Sequence, residues 1–201
     1  MFKFGDSCKK HTIFHQITMF AIPPSQNIHS MNFSNKTVLI TGGSRGIGRA
    51  TAIAFATNGA RVAINFRSNE EAAMQTVQDL PGEGHMAIQA DIADPESVRK
   101  LVFQTIRAFG RLDILVNNAA VFQRHAVDEV SYEQWQQSWH FVLSANLTGV
   151  ANTSYCAIQY MIQQKSGRIV NVSSRGAYRG EPEHPAYGAS KAGLNALTQS
   201  L

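Results

Sequence analysis

The run Thr37-Val38-Leu39-Ile40-Thr41-Gly42-Gly43-Ser44-Arg45-Gly46-Ile47-Gly48 constrains this chain more than any other. Its first four residues are apolar or β-branched without polar alternation, the pattern of a short strand buried on both faces. Behind the glycines, Ile47, Ala50 and Ala54 recur at helical spacing until Gly59 stops them as a C′ residue. Strand, glycine turn and helix in that order aim backbone N–H groups and a helix N-terminus at one point, which suits a pyrophosphate. Gly42 permits the tight turn, Gly46 lets phosphates approach, and Gly48 lets helix and strand pack closely. A glycine turn that is only a connection has the same local pattern, so the rest of the chain must decide.

The remainder alternates strand and helix. Arg61–Phe66, Met86–Ala90, Leu112–Val116 and Arg168–Val172 read as further strands. Between them, Asn69–Leu80 reads as a helix, and Asp94-Pro95 opens another with an N-cap and an N1 proline, ending before Gly110. Ser131-Tyr132-Glu133-Gln134 has the capping-box pattern and starts a helical stretch, in one or two pieces, to about Lys165. A last helix begins near Ala186. Such alternation implies an α/β fold: a Rossmann-type, doubly wound parallel sheet whose ligands bind beyond the carboxyl ends of the strands.

Two further features carry chemistry. Tyr187 and Lys191 stand at i and i+4 of the last helix, on one face, so an ammonium lies beside a phenol. A nearby cation favours the phenolate and brings a group with an ordinary pKa near ~10 toward the range of a general acid/base. Ser174 offers a hydroxyl to the same substrate oxygen. Tyrosine and lysine four apart also occur by chance on solvated helix faces, so this pair depends on its context.

Taken together, Thr41-Gly42, Gly46, Gly48, Asn117-Asn118-Ala119, Asn146, Ser174 and Tyr187-x-x-x-Lys191 resemble the short-chain dehydrogenase/reductase family over about residues 36–201, and most nearly its 3-oxoacyl-[acyl-carrier-protein] reductase type. The resemblance implies hydride transfer between a nicotinamide and a carbonyl or alcohol. It makes Tyr187 the acid/base, Ser174 the group that orients the substrate oxygen, and Lys191 both the modulator of Tyr187 and a holder of the nicotinamide ribose. Asn146 matches an asparagine that holds a water in the proton relay, and Asn117 one that helps hold sheet and cofactor. Asp91 matches an adenine contact. The implied cofactor site comprises Gly42, Ser44, Arg45, Gly46, Ile47, Gly48, Arg67, Asp91, Ile92, Asn118 and Ala119 with Tyr187 and Lys191. A homo-oligomer is implied for a complete family member and is not carried over to this chain. Ala120 departs from the family, which usually has glycine there.

The end of the second strand bears on which nicotinamide is bound. An NAD site generally has Asp or Glu there for the ribose 2′-hydroxyl. Here the residues are Asn65-Phe66-Arg67-Ser68, with no carboxylate before Glu70. Arg45 and Arg67 suit a 2′-phosphate, so NADP(H) is expected in preference to NAD(H), and an aspartate substituted at Phe66 is expected to shift the preference toward NADH.

The resemblance runs out at Leu201, where family members continue with another strand and a substrate-covering segment. The fifth strand is therefore expected at an edge of an incomplete sheet. An inactive cofactor-binding remnant, or an unstable fragment of such an enzyme, is the alternative to an active reductase. Residues 1–32 are expected to be a disordered extension and 33–201 the oxidoreductase domain. His11 and His15 lack a third metal ligand nearby, so no metal is expected.

At 201 residues, 44% hydrophobic and 16% charged, the chain suffices for one domain with a real core. Of its net charge of +4, Lys3, Lys9, Lys10 and Asp6 put +2 on the extension. The rest has no basic run interleaved with aromatics, which argues against nucleic acid. No segment reads as a membrane span or secretory signal. Cys8 and Cys156 form no disulfide framework, consistent with a reducing, cytoplasmic setting. Trp135 and Trp139, one turn apart, suit either core packing or a subunit contact. The loop Arg175–His184 is expected to line the substrate site.

Overall fold

The computed structural model describes residues 31–201; the expectations for the extension, including Cys8, His11 and His15, fall almost wholly outside these residues. Five strands form one parallel sheet: β1 (Thr37–Ile40), β2 (Arg61–Phe66), β3 (Met86–Gln89), β4 (Ile114–Asn117) and β5 (Arg168–Asn171). Their order is β3-β2-β1-β4-β5. The chain moves outward from β1 in one direction and then crosses to the other side, so β1 and β4 flank the switch point where α/β sheets bind ligands. Among the described residues β5 is an edge strand, as expected.

Residue alternation along the strands divides the core. Val38, Ile40, Val62, Ile64 and Val116 point to one face and pack on Ala52 and Ala56 of α1 (Gly46–Thr57) and Ala73 of α2 (Glu70–Gln78). Leu39, Ala63 and Leu115 point to the other, against Leu101 and Val102 of α3 (Pro95–Phe109) and Ala157 and Met161 of a later helix, α5 (Gly149–Gln164). Helices on both faces explain why the strands read as continuous apolar runs.

Local chemistry sets the helix ends. The Asn69 and Asp94 side chains accept N–H groups in the first turns of α2 and α3, and Gly110 ends α3 with a left-handed φ of 77°. α4 (Tyr132–Leu143) starts in a complete capping box of Ser131 and Gln134. The predicted stretch from Ser131 to Lys165 is α4, a π-helical turn at Ser144–Thr148, and α5. The loop expected over 175–184 contains a short helix, α6 (Gly176–Arg179), before α7 (Pro185–Ser200). β4 begins two residues later than expected, although Asp113 just before it still bonds the Thr37 carbonyl and the Arg168 N–H through its main chain, and its side chain enters a network at this end of the sheet.

There, Asp113 accepts the Thr37 N–H at 2.9 Å and the Arg111 guanidinium at 2.6 and 2.9 Å. Burial pushes its carboxyl up, but the bonds from Arg111 and Thr37 outweigh this and hold it below the ordinary value. A depressed folded-state pKa stabilises the protein above the unfolded pKa, near ~4, and that stabilisation is lost as pH falls through the folded value. Asp113→Asn is expected to lower stability by about 1–3 kcal/mol at pH 7 and by less at pH 3, read by urea unfolding at both.

Candidate functional site

The strand carboxyl ends open on a crevice of about 430 Å³. Four segments make most of its lining, the glycine turn after β1, Asn65–Asn69 at the end of β2, Ala90–Ile92 after β3 and Asn118–Val121 after β4, joined by Ala72 of α2 and Ala145 of the π-helical turn. All the residues assigned above to cofactor contact line it except Tyr187 and Lys191. Asn117 does not. It is buried in β4, where its amide bonds Ser154 and Asn171, so it holds the sheet together without facing the crevice.

The turn after β1 has the geometry that a phosphate cradle needs. Gly42 (φ 64°) and Gly46 (φ 55°) adopt left-handed conformations. A Cβ on Gly46 would meet nothing within 4 Å, so this position opens outward and leaves the backbone approachable. A Cβ on Gly48 would overlap the Gly42 carbonyl oxygen and lie 2.6 Å from Asn118 Nδ2. The turn is pinned to β4: Asn118 Nδ2 donates to the Thr41 and Gly42 carbonyls at 2.9 and 3.1 Å, and Thr41 Oγ1 accepts the Asn118 and Ala119 N–H groups at 3.0 Å each.

Asn65 was missed from the sequence. Its Oδ1 accepts the Gly42 N–H at 3.3 Å and its Nδ2 donates to the Ala90 carbonyl at 2.9 Å, joining the ends of three strands beneath the crevice. The only signal was an amide inside the apolar run of β2. Phe66, proposed as the place for a specificity-changing carboxylate, is only 5% exposed and packs in the core. An aspartate there would be buried and unpaired, so exposed Arg67 is the position that can carry the change.

None of the four catalytic candidates lines this crevice, but one of them, Asn146, bonds Val121, which does. Asn146 sits in the π-helical turn, fully buried. Its side chain exchanges hydrogen bonds with the Val121 main chain at 2.8 and 2.9 Å and donates to Ser190 Oγ at 3.3 Å. Val121 lines the crevice and Ser190 belongs to α7. π-turns inside helices recur at functional sites. Tyr187 is half-buried on α7, with the Phe122 ring edge-on at 4.7 Å. The Lys191 ammonium lies 5.8 Å from the Tyr187 ring centre and donates to the Val172 carbonyl at 2.8 Å. Burial lowers Lys191 to about 8, so it is still mainly protonated at neutral pH. Ser174 Oγ accepts the Gly176 N–H at 3.1 Å, leaving its proton free to donate.

Elsewhere, Trp135 packs edge-on to His125 at 5.5 Å and tilted against Trp139 at 5.8 Å, and both tryptophans stay partly exposed. Arg175 leans on Glu181 at 3.6 Å. Half-buried Cys156 is in α5, where burial pushes its thiol up. Among the described residues no helix is long and apolar enough to cross a membrane, and no group of three or more His, Cys, Asp or Glu is placed to hold a metal.

Known proteins are similar to this chain in sequence and fold. The chain is 38% identical over 167 residues to the 3-oxoacyl-[acyl-carrier-protein] reductase FabG of Staphylococcus aureus, covering 82% of this chain and 66% of that protein. A short chain dehydrogenase from Burkholderia cenocepacia, crystallised in complex with NADP, superposes with a TM-score of 0.75 at 38% identity, over 85% of this chain and 68% of that one. An NAD+-bound xylitol dehydrogenase superposes with a TM-score of 0.77 at 31% identity, over 85% and 65%. The chain thus spans about two thirds of the length of these relatives. The family model for short chain dehydrogenases matches residues 36–201, and the chain belongs to that family.

Proposed function

We propose that the protein carrying this chain is an NADP(H)-dependent oxidoreductase that interconverts a carbonyl and an alcohol, with Tyr187 as the general acid/base. The observation that carries this reading is the joining, through Asn146, of the glycine-turn crevice to the helix bearing Tyr187 and Lys191. The crevice fits a dinucleotide. Its glycine turn presents backbone N–H groups without a Cβ in the way, and Gly48 allows helix and turn to close on each other. A bound nicotinamide supplies or accepts the hydride.

The remaining chemistry belongs to side chains. In reduction, the Tyr187 hydroxyl gives its proton to the substrate oxygen as that oxygen gains charge, and Ser174 donates a hydrogen bond to the same atom. Lys191, held by the Val172 carbonyl, stabilises the phenolate left behind and contributes to holding the ribose. Asn146 spends its side chain on Val121 and Ser190, so it ties the proton-donating helix to the cofactor crevice.

Arg45 and Arg67 support the choice of NADP(H). Both are exposed, both line the crevice, and among the described residues neither pairs with a carboxylate. Their charge is available to a 2′-phosphate. NADPH is expected to bind about tenfold or more tightly than NADH, the preference shrinking as salt screens the contact. Arg67→Asp should reverse the order. Fluorescence titrations of both cofactors at two salt concentrations test this. Equal affinities in the parent would remove the NADP assignment, and binding of neither would remove the dinucleotide site.

A further inference from the structure

The helix carrying Tyr187 lacks a cap of its own. α7 begins at Pro185, and the preceding residue, His184, makes no side-chain bond to its first turn. The exposed N–H groups of a helix start need partners. The Ala186 N–H finds one far away in sequence, in Nε2 of His125, at 3.3 Å. His125 lies on the segment after β4 and is 1% exposed.

The contacts fix the state of this ring. A backbone N–H only donates, so Nε2 must present its lone pair. Nδ1 lies 2.9 Å from the Gln123 carbonyl, which only accepts, so Nδ1 must carry the proton. The imidazole is thereby neutral and in one tautomer. The segment around it is held to the same place by other bonds. The His125 N–H donates to the Glu183 carbonyl at 2.9 Å, and the Arg124 guanidinium bonds Glu183 at 2.7 and 3.1 Å as well as Glu129. Phe122 stacks on His184 at 3.8 Å and meets Tyr187 edge-on. This segment starts at Val121, in the wall of the crevice.

We propose that His125 is a positioning residue for Tyr187: as the neutral Nδ1–H tautomer it caps α7 one residue before the phenol and sets the phenol's place relative to the crevice. This rests on the acid/base reading of Tyr187. A histidine suits the task better than the usual aspartate cap. A carboxylate beside the phenol would oppose phenolate formation, whereas a neutral imidazole accepts the N–H without adding charge.

The test uses the full chain with His125→Ala, His125→Gln and Tyr187→Phe. Turnover is measured with saturating NADPH and a ketone, below each variant's melting temperature and per folded molecule. His125→Ala should lower kcat about 10- to 100-fold by misplacing the proton donor, with KM and the NADPH Kd little changed. His125→Gln, whose Oε1 accepts the same N–H, should recover most of the loss. In the parent, ¹⁵N spectra of the ring should show the Nδ1–H form. An unchanged kcat in folded His125→Ala, or an Nε2–H ring in the parent, would overturn the proposal. Normal turnover in Tyr187→Phe would sink the acid/base reading and this inference with it. A silent Tyr187→Phe beside a fully active His125→Ala would sink the positioning role alone.

Discussion

Tyr187→Phe is expected to lower turnover about 100- to 10,000-fold, the range for loss of a general acid/base, while leaving the melting temperature close to the parent's. The substitution removes only Oη. The ring that meets Phe122 at 4.7 Å and lies 5.8 Å from the Lys191 ammonium remains, so the packing of α7 has no reason to change. What is lost is the proton that the substrate oxygen takes up in reduction. Steady-state kinetics with NADPH and a ketone, beside a thermal melt of the same preparation, check the expectation. Turnover within a few-fold of the parent would mean that the proton comes from elsewhere.

Gly48→Ala is expected to act on the cofactor. The added methyl would run into the Gly42 carbonyl oxygen and the Asn118 amide, two members of the bond that ties the glycine turn to the segment after β4. Neither can withdraw freely. Gly42 is main chain in a left-handed turn, and Asn118 is also engaged with the Thr41 carbonyl. Overpacking of this kind costs about 1–3 kcal/mol, and if the turn moves to relieve it, NADPH affinity falls about 10- to 100-fold. Gly46→Ala makes the contrast. Its methyl would meet no neighbouring atom, so its cost is confined to the left-handed backbone and to ligand approach. Calorimetric titration of NADPH against parent and both variants, with melting curves, separates the two effects. A Gly48→Ala protein that binds NADPH as the parent does would show that the close contact is relieved without disturbing the cradle.

Much of the fold was legible because its determinants are local. A run such as Thr37–Ile40 can hardly be other than a strand buried on both faces, and β1 and β2 fall at their expected residues. Asp94-Pro95 and Gly110 bracket α3 through bonds and dihedral angles of the residues themselves. The π-turn at Ser144–Thr148 and the short helix at Gly176–Arg179 left no such mark. The first is a one-residue slip in helical hydrogen bonding that keeps the helical pattern, and the second is a single turn inside a glycine-rich loop.

The sequence by itself determined the strand–turn–helix alternation, and with it the parallel sheet, the positions that must be glycine and the family. Tertiary structure alone decided that Asn65 anchors the glycine turn, that Asn117 faces the sheet and Phe66 the core, that Asn146 joins the crevice to α7, and that His125 caps the helix of Tyr187. The physical reason is the range of the interactions. Periodicity and capping act over a few residues and leave a pattern in the chain. A hydrogen bond from Ala186 to His125 joins groups 61 residues apart, and nothing in either neighbourhood encodes the partner until the sheet brings them together.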